Sequence, residues 1–187
     1  MIESVKSLRY NNLERMGISM KKRLSPAREH YFLKLFQEIC DHSRFMQSKQ
    51  NIQHGQTSVY QHSLSVAYLS CLIAENLSLF VDWHDLIRGA LLHDYFLYDW
   101  HDKSHDHPRP HGLTHPQAAY ENASRDFTLS LKEINIIKRH MFPLTLMPPT
   151  CLEAWIVCLA DKYLSTLETL FPEWEPFISE EDLEKPA

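Results

Sequence analysis

The chain has 187 residues and a net charge of −5 with histidine neutral, from 19 Lys and Arg against 24 Asp and Glu. Its 44% hydrophobic content can fill one domain-sized core, which excludes a disordered chain, and the charge balance gives no basis for a generally basic nucleic-acid binder. Two counts stand apart: 4 glycines, sparse against an average of about 7%, and 12 histidines. Scarce glycine means few tight turns and favours helices. Surplus histidine raises metal binding as the first chemical reading, because neutral imidazole is the commonest metal ligand.

In chain order, Met1 to Leu24 carries scattered charges and no apolar core of a secretory signal. Ser25-Pro26 is a helix opening, serine as N-cap and proline in the first turn, and Tyr31, Phe32, Leu35, Phe36 and Ile39 follow at helical spacing. His54-Gly55 marks a loop. Thr57 or Ser58 then caps a helix over about 58–78 with Val59, Val66, Leu69, Leu72, Ile73 and Leu77 on its apolar stripe. Asp82 caps a helix over about 83–94. Residues 99–114, polar and rich in histidine with Pro108 and Pro110, read as a loop, after which Thr114 and Pro116 open a helix to about Ser124. Thr128 or Ser130 caps 131–141, prolines 143, 148 and 149 break the chain, and a last helix spans about 150–170.

No segment alternates convincingly with period two, so the class is all-α. The expected organisation is an N-terminal segment 1–24, a helical domain 25–171 and an acidic tail 172–187. No apolar run approaches the ~18 residues that span a bilayer. The cysteines (Cys40, Cys71, Cys151, Cys158) form no CxxC pair and read as thiols. A cytoplasmic protein is expected, with no membrane partner and self-association left open.

The ionisable residues on these helices carry the chemistry. His62 shares the stripe of Val66, Leu69 and Ile73. His93-Asp94 closes the run Leu86 to Leu92, Asp94 lying three and seven positions after Leu91 and Ile87. Asp161 follows Val157 by four and Ala154 by seven. His140 follows Ile136 and Ile137 by four and three. A core-facing carboxylate among apolar neighbours is costly without a partner charge or a metal, and two such aspartates with three or four histidines suit a shared divalent ion.

The ordered set His62, His93-Asp94 and Asp161, in the words "YQHSLSVAYLS", "GALLHDYF" and "WIVCLADKY", resembles the H…HD…D signature of the HD superfamily of metal-dependent phosphohydrolases over about residues 50–170. The resemblance implies an all-α HD bundle in which His62, His93, Asp94 and Asp161 ligate a metal. His115 in "LTHPQAA" and His140 in "IKRHMFP" resemble the added histidines of dinuclear branches, in which the HD aspartate bridges two ions. Such a nitrogen- and oxygen-rich set suits Fe or Mn first, Ni or Zn next, and disfavours calcium.

Two departures matter: no GYP word is present, and no lysine follows the HD pair, where Tyr95-Phe96-Leu97-Tyr98 stands instead. A cyclic-dinucleotide phosphodiesterase is therefore disfavoured, and phosphate neutralisation falls to Lys162, Arg139, Arg88 or Lys138, with His54 a further candidate for substrate contact. The function implied is hydrolysis of a phosphoester or phosphoanhydride in a small nucleotide-like substrate by metal-activated water, with Asp94, Asp161 and Lys162 as the catalytic set. The alternatives are a mixed-valent di-iron oxygenase built on the same ligands, and a ligand-binding protein with a degenerate site. The cluster His101, His105, His107 and His111 reads as a solvated loop, and Tyr95, Phe96, Tyr98 and Trp100 as aromatic packing below the site.

Overall fold

A computed structural model describes residues 23–102, 110–171, 177–179, 181 and 183. The chain is helical, with α1 over Pro26–His42, a 3-10 turn over Phe45–Gln50, α2 over Val59–Asn76, α3 over Trp83–Leu92, α4 over His111–Asp126, α5 over Leu131–Arg139 and α6 over Leu152–Leu170. Three of the capping residues read from the sequence cap their helices through side-chain hydrogen bonds, whereas Ser25 stands before α1 without one. The Ser58 hydroxyl accepts from the Gln61 N–H, and Asp82 accepts from the N–H groups of His84 and Asp85. Ser130 and Glu133 form a reciprocal capping box.

Three features differ from expectation. A short antiparallel hairpin joins β1 (Ile52–His54) to β2 (Thr57–Ser58), with Gly55 at a positive φ of 56° in its turn. Helix α4 begins at His111 rather than near Thr114, because Pro110 serves as its N-cap and fixes the entry. Helices α3 and α5 stop one residue before His93 and His140, which sit as their C-caps in right-handed helical geometry.

Helix α2 is the central element. It is buried on nearly every side, including His62, Ser63, Ser65 and Ser70, and it packs against α3 and α6. Helix α3 packs in turn on α5, which lies between α4 and α6. At the α3–α5 crossing Gly89 is required by close approach: a methyl group there would run into the side chain of Ile136. Leu64, Leu86, Leu91, Ile137, Val157 and Leu164 fill the core between these helices. Of the N-terminal segment only Arg23 and Leu24 are described, and Leu24 is buried. In the C-terminal segment Ile178 and Leu183 are buried against the core, and the Gln61 amide donates to the Ile178 carbonyl.

Candidate metal centre

Four imidazoles arrive from four helices, each with its Nδ1 tied back. His93 Nδ1 lies 2.7 Å from the Ala90 carbonyl, His140 Nδ1 2.8 Å from that of Ile137, and His115 Nδ1 3.0 Å from that of His111. For the two C-cap histidines the acceptor is a carbonyl of the last helical turn, which has no intrahelical N–H to receive. His62 lies inside α2 and instead meets the Glu168 carboxylate, at 2.8 Å. These contacts place a proton on each Nδ1 and turn each Nε2 towards the centre.

The four Nε2 atoms meet two aspartates. Asp94 presents Oδ1 to His115 and His140, at 3.1 and 3.3 Å, and Oδ2 to His93 and His62, at 3.4 and 3.8 Å. Asp161 Oδ1 lies 3.2 Å from His62 Nε2 and 4.0 Å from His93 Nε2. His62, His93 and Asp161 form one cluster with metal-ligand spacing, and His93, Asp94 and His140 another. Asp94 joins them, one oxygen to each side.

These residues fit divalent ions. His93 Nε2 and Asp94 Oδ1 are buried without a hydrogen-bond partner among the described residues although charged or polar groups stand 3.1 to 3.4 Å away, so neither is aligned with its neighbours as a hydrogen bond requires. His115 and His140 bring their Nε2 atoms to 2.8 Å, a contact that needs a proton or a cation between two lone pairs. The donors are imidazole nitrogen and carboxylate oxygen, which suits first-row divalent metals.

Electrostatics hold the two carboxylates ionised and the His93 ring neutral, the states ligation needs, whereas an ion would have to displace a proton from His62. Burial alone would raise the pKa values of Asp94 and Asp161. The neighbouring histidines, and Lys162 for Asp161, outweigh it and hold both well below the usual carboxylate range. Burial pushes His93 down to about 4, so its ring is neutral at physiological pH. Burial also disfavours charge on His62, but Glu168 and Asp161 together hold its pKa well above the ordinary value.

A cavity of about 730 Å³ opens over this cluster, with Asp94, His115 and Asp161 in its wall. Lys162 and His54, both expected to contact substrate, also line it. The Lys162 ammonium donates to Asp161 Oδ2 at 2.6 Å and to the His140 carbonyl at 3.0 Å. Arg88 and Arg139 are not brought there. Arg88 faces the α3–α5 interface and pairs with Glu133 at 3.0 Å, and Arg139 donates to the Pro148 carbonyl at 2.8 Å on the surface.

Among the aromatics, Tyr95 and Phe96 are core residues, whereas Trp100 lines the cavity, stacked at 4.9 Å on His111. His111 therefore belongs to the cavity wall and not to a solvated loop; His101 is exposed, and His105 and His107 lie outside the described residues.

Three polar groups beside the centre were not singled out from the sequence. The Gln53 amide on the hairpin donates to Asp94 Oδ2 at 2.5 Å, and Ser165 donates to Asp161 Oδ1 at 2.9 Å. Glu168 is the third. Ser165 and Glu168 carry a legible signal: they follow Asp161 by four and seven residues, on the same face of α6.

The HD domain profile matches residues 59–166, more than half of the chain and a span containing all six converging ligand candidates. The chain belongs to the HD-domain family. HD domains are typical of metal-dependent hydrolases and bind divalent metal, in keeping with the donor set described. No curated protein and no solved structure gave a significant match to this HD-domain chain. Among its described residues no helix is long and apolar enough to cross a membrane.

Proposed function

We propose that this HD-domain protein is a phosphohydrolase that cleaves a phosphoester or phosphoanhydride bond in a small nucleotide-like molecule with two divalent ions. The observation that carries the reading is Asp94, whose two oxygens face two different pairs of imidazoles. His62, His93, Asp161 and Asp94 Oδ2 would hold one ion, and His115, His140 and Asp94 Oδ1 the other, with Fe or Mn favoured over Ni or Zn. When bound, the ions supply Lewis acidity towards phosphate oxygens and a water activated to attack phosphorus.

The chain's own groups do the rest. Gln53 and Ser165 hold Asp94 and Asp161 in orientation through the hydrogen bonds described above. Lys162, 36% exposed at the edge of the cavity, stands where its ammonium can meet charge developing on a phosphoryl group. A cavity of about 730 Å³ falls within the 300–1,000 Å³ range typical of small-molecule sites and accommodates a nucleotide-sized substrate. Trp100, His111 and Leu144 give it an aromatic and apolar wall for the organic part.

The test is hydrolysis by apo protein reloaded with Mn, Fe, Ni or Zn, against a panel of nucleotides and simple phosphate esters under anaerobic conditions. Phosphate or nucleotide release with at least one metal supports the reading. No hydrolysis with any of them, together with dioxygen consumption by the iron form, would replace it with an oxygenase. Within the hydrolase reading, Lys162→Met is expected to lower kcat/KM by about 10²-fold, the effect of losing one preorganised donor. Metal content should stay at the wild-type value, as elemental analysis would show.

A further inference from the structure

The four imidazoles are not held alike. Three tie Nδ1 to a backbone carbonyl, whereas His62 ties it to a carboxylate. That carboxylate is deep: the Glu168 side chain is 1% exposed, its Oε2 lies 2.8 Å from His62 Nδ1, and its Oε1 has no hydrogen-bond partner among the described residues. A buried carboxylate satisfied by a single imidazole is expensive to maintain, and no other contact among the described residues explains its position.

We infer that Glu168 is a positioning residue that makes the His62–His93–Asp161 position the tighter of the two metal positions, filled first, with the His115–His140 position filling second. The inference rests on the dinuclear reading of the centre.

The charge around each position supports this order. The first position has the carboxylate of Asp161, one oxygen of Asp94, and Glu168 directly behind one of its imidazoles. The second has one oxygen of Asp94 and two imidazoles backed only by carbonyls. Lys162 withdraws part of the Asp161 charge from the first position, at 2.6 Å, and Glu168 restores it from the opposite side of His62. An imidazole whose Nδ1–H points at a carboxylate is a more basic ligand and is fixed in ring orientation, and removing such a partner costs about 10–100-fold in metal affinity.

The experiment is stepwise loading of apo protein with Mn(II), followed by the free-ion electron paramagnetic resonance signal, on wild type, Glu168→Gln and His115→Ala. Glutamine can still accept from Nδ1 but removes the charge. Wild type is expected to bind two ions in two resolved steps. Glu168→Gln should weaken the first step by about 10–100-fold and leave the second unchanged. His115→Ala should keep the first step and lose the second, which tests the order without disturbing Glu168.

Four results would overturn the inference. They are two ions binding with one affinity in wild type, an unchanged first step in Glu168→Gln, an equal loss in both of its steps, or loss of the tight step in His115→Ala. Because the readout is metal occupancy, a protein that binds two ions in this order yet hydrolyses nothing would sink the hydrolase reading and leave this one standing.

Discussion

Asp94→Ala is expected to yield a folded protein that retains neither ion and hydrolyses its substrate at least about 10³-fold more slowly than wild type, a loss of several kcal/mol of transition-state stabilisation. Asp94 alone among the described residues offers an oxygen to each cluster, so its removal strips a ligand from both positions at once. It also leaves four imidazoles from four helices facing one another with Asp161 as the remaining carboxylate on their Nε2 side. Elemental analysis of the purified variant and a substrate assay check the result together. A His115→Ala protein gives the contrast, keeping one position. If Asp94→Ala kept two equivalents of metal, the bridging role would be wrong.

Arg88→Met should cost about 3–5 kcal/mol of stability and leave the turnover of folded, metal-loaded protein unchanged. The Arg88 side chain is 11% exposed and that of Glu133 is 1%, and the two approach to 3.0 Å as an ion pair rather than as an aligned hydrogen bond. The guanidinium also lies over the Phe127 ring, 5.1 Å from its centre. Methionine keeps the volume and removes the charge, which leaves the Glu133 carboxylate buried without its cation.

Burial already raises the pKa of Glu133, opposed by the Ser130 N–H and by Arg88, so losing Arg88 raises it further. A carboxylate raised in the folded state is best tolerated when protonated. The deficit should therefore be largest near neutral pH and shrink as pH falls through the raised Glu133 value. Denaturant melts of wild type and variant at several pH values would show this. Normal stability with a raised KM would instead return Arg88 to the substrate-binding role read from the sequence.

Arg88 illustrates where sequence reasoning stops. The periods of α2, α3, α5 and α6 are legible because one face of each is apolar, and Ser58, Asp82 and Ser130 announce three of the starts. The same periods place His62, Asp94, His140 and Asp161 on inward faces, which is why the ligand candidates could be named together. Arg88 lies six residues before Asp94 on α3, but helix spacing does not say which neighbour a long side chain reaches. That depends on the α3–α5 crossing, set by Gly89 against Ile136.

Gln53 could not be read at all, since it reaches Asp94 from a short hairpin with no repeating pattern. The start of α4 was hidden by prolines and histidines that resemble a loop, and with it the place of His111 in the cavity wall.

That α3 and α5 both end at candidate ligand histidines has a consequence for the order of assembly. Each helix carries about half a negative charge at its C-terminal end, and the ends at His93 and His140 converge on the carboxylates of Asp94 and Asp161. A phosphate arriving at the bare centre would meet two carboxylates and two negative helix ends, with Lys162 the described cation lining the cavity. The fold thus attracts cations before any side chain is counted as a ligand, and it repels the anion until they are in place. Under the phosphohydrolase reading, substrate recognition would be borrowed from the ions, so a cell short of metal would hold a protein that neither cleaves its substrate nor sequesters it.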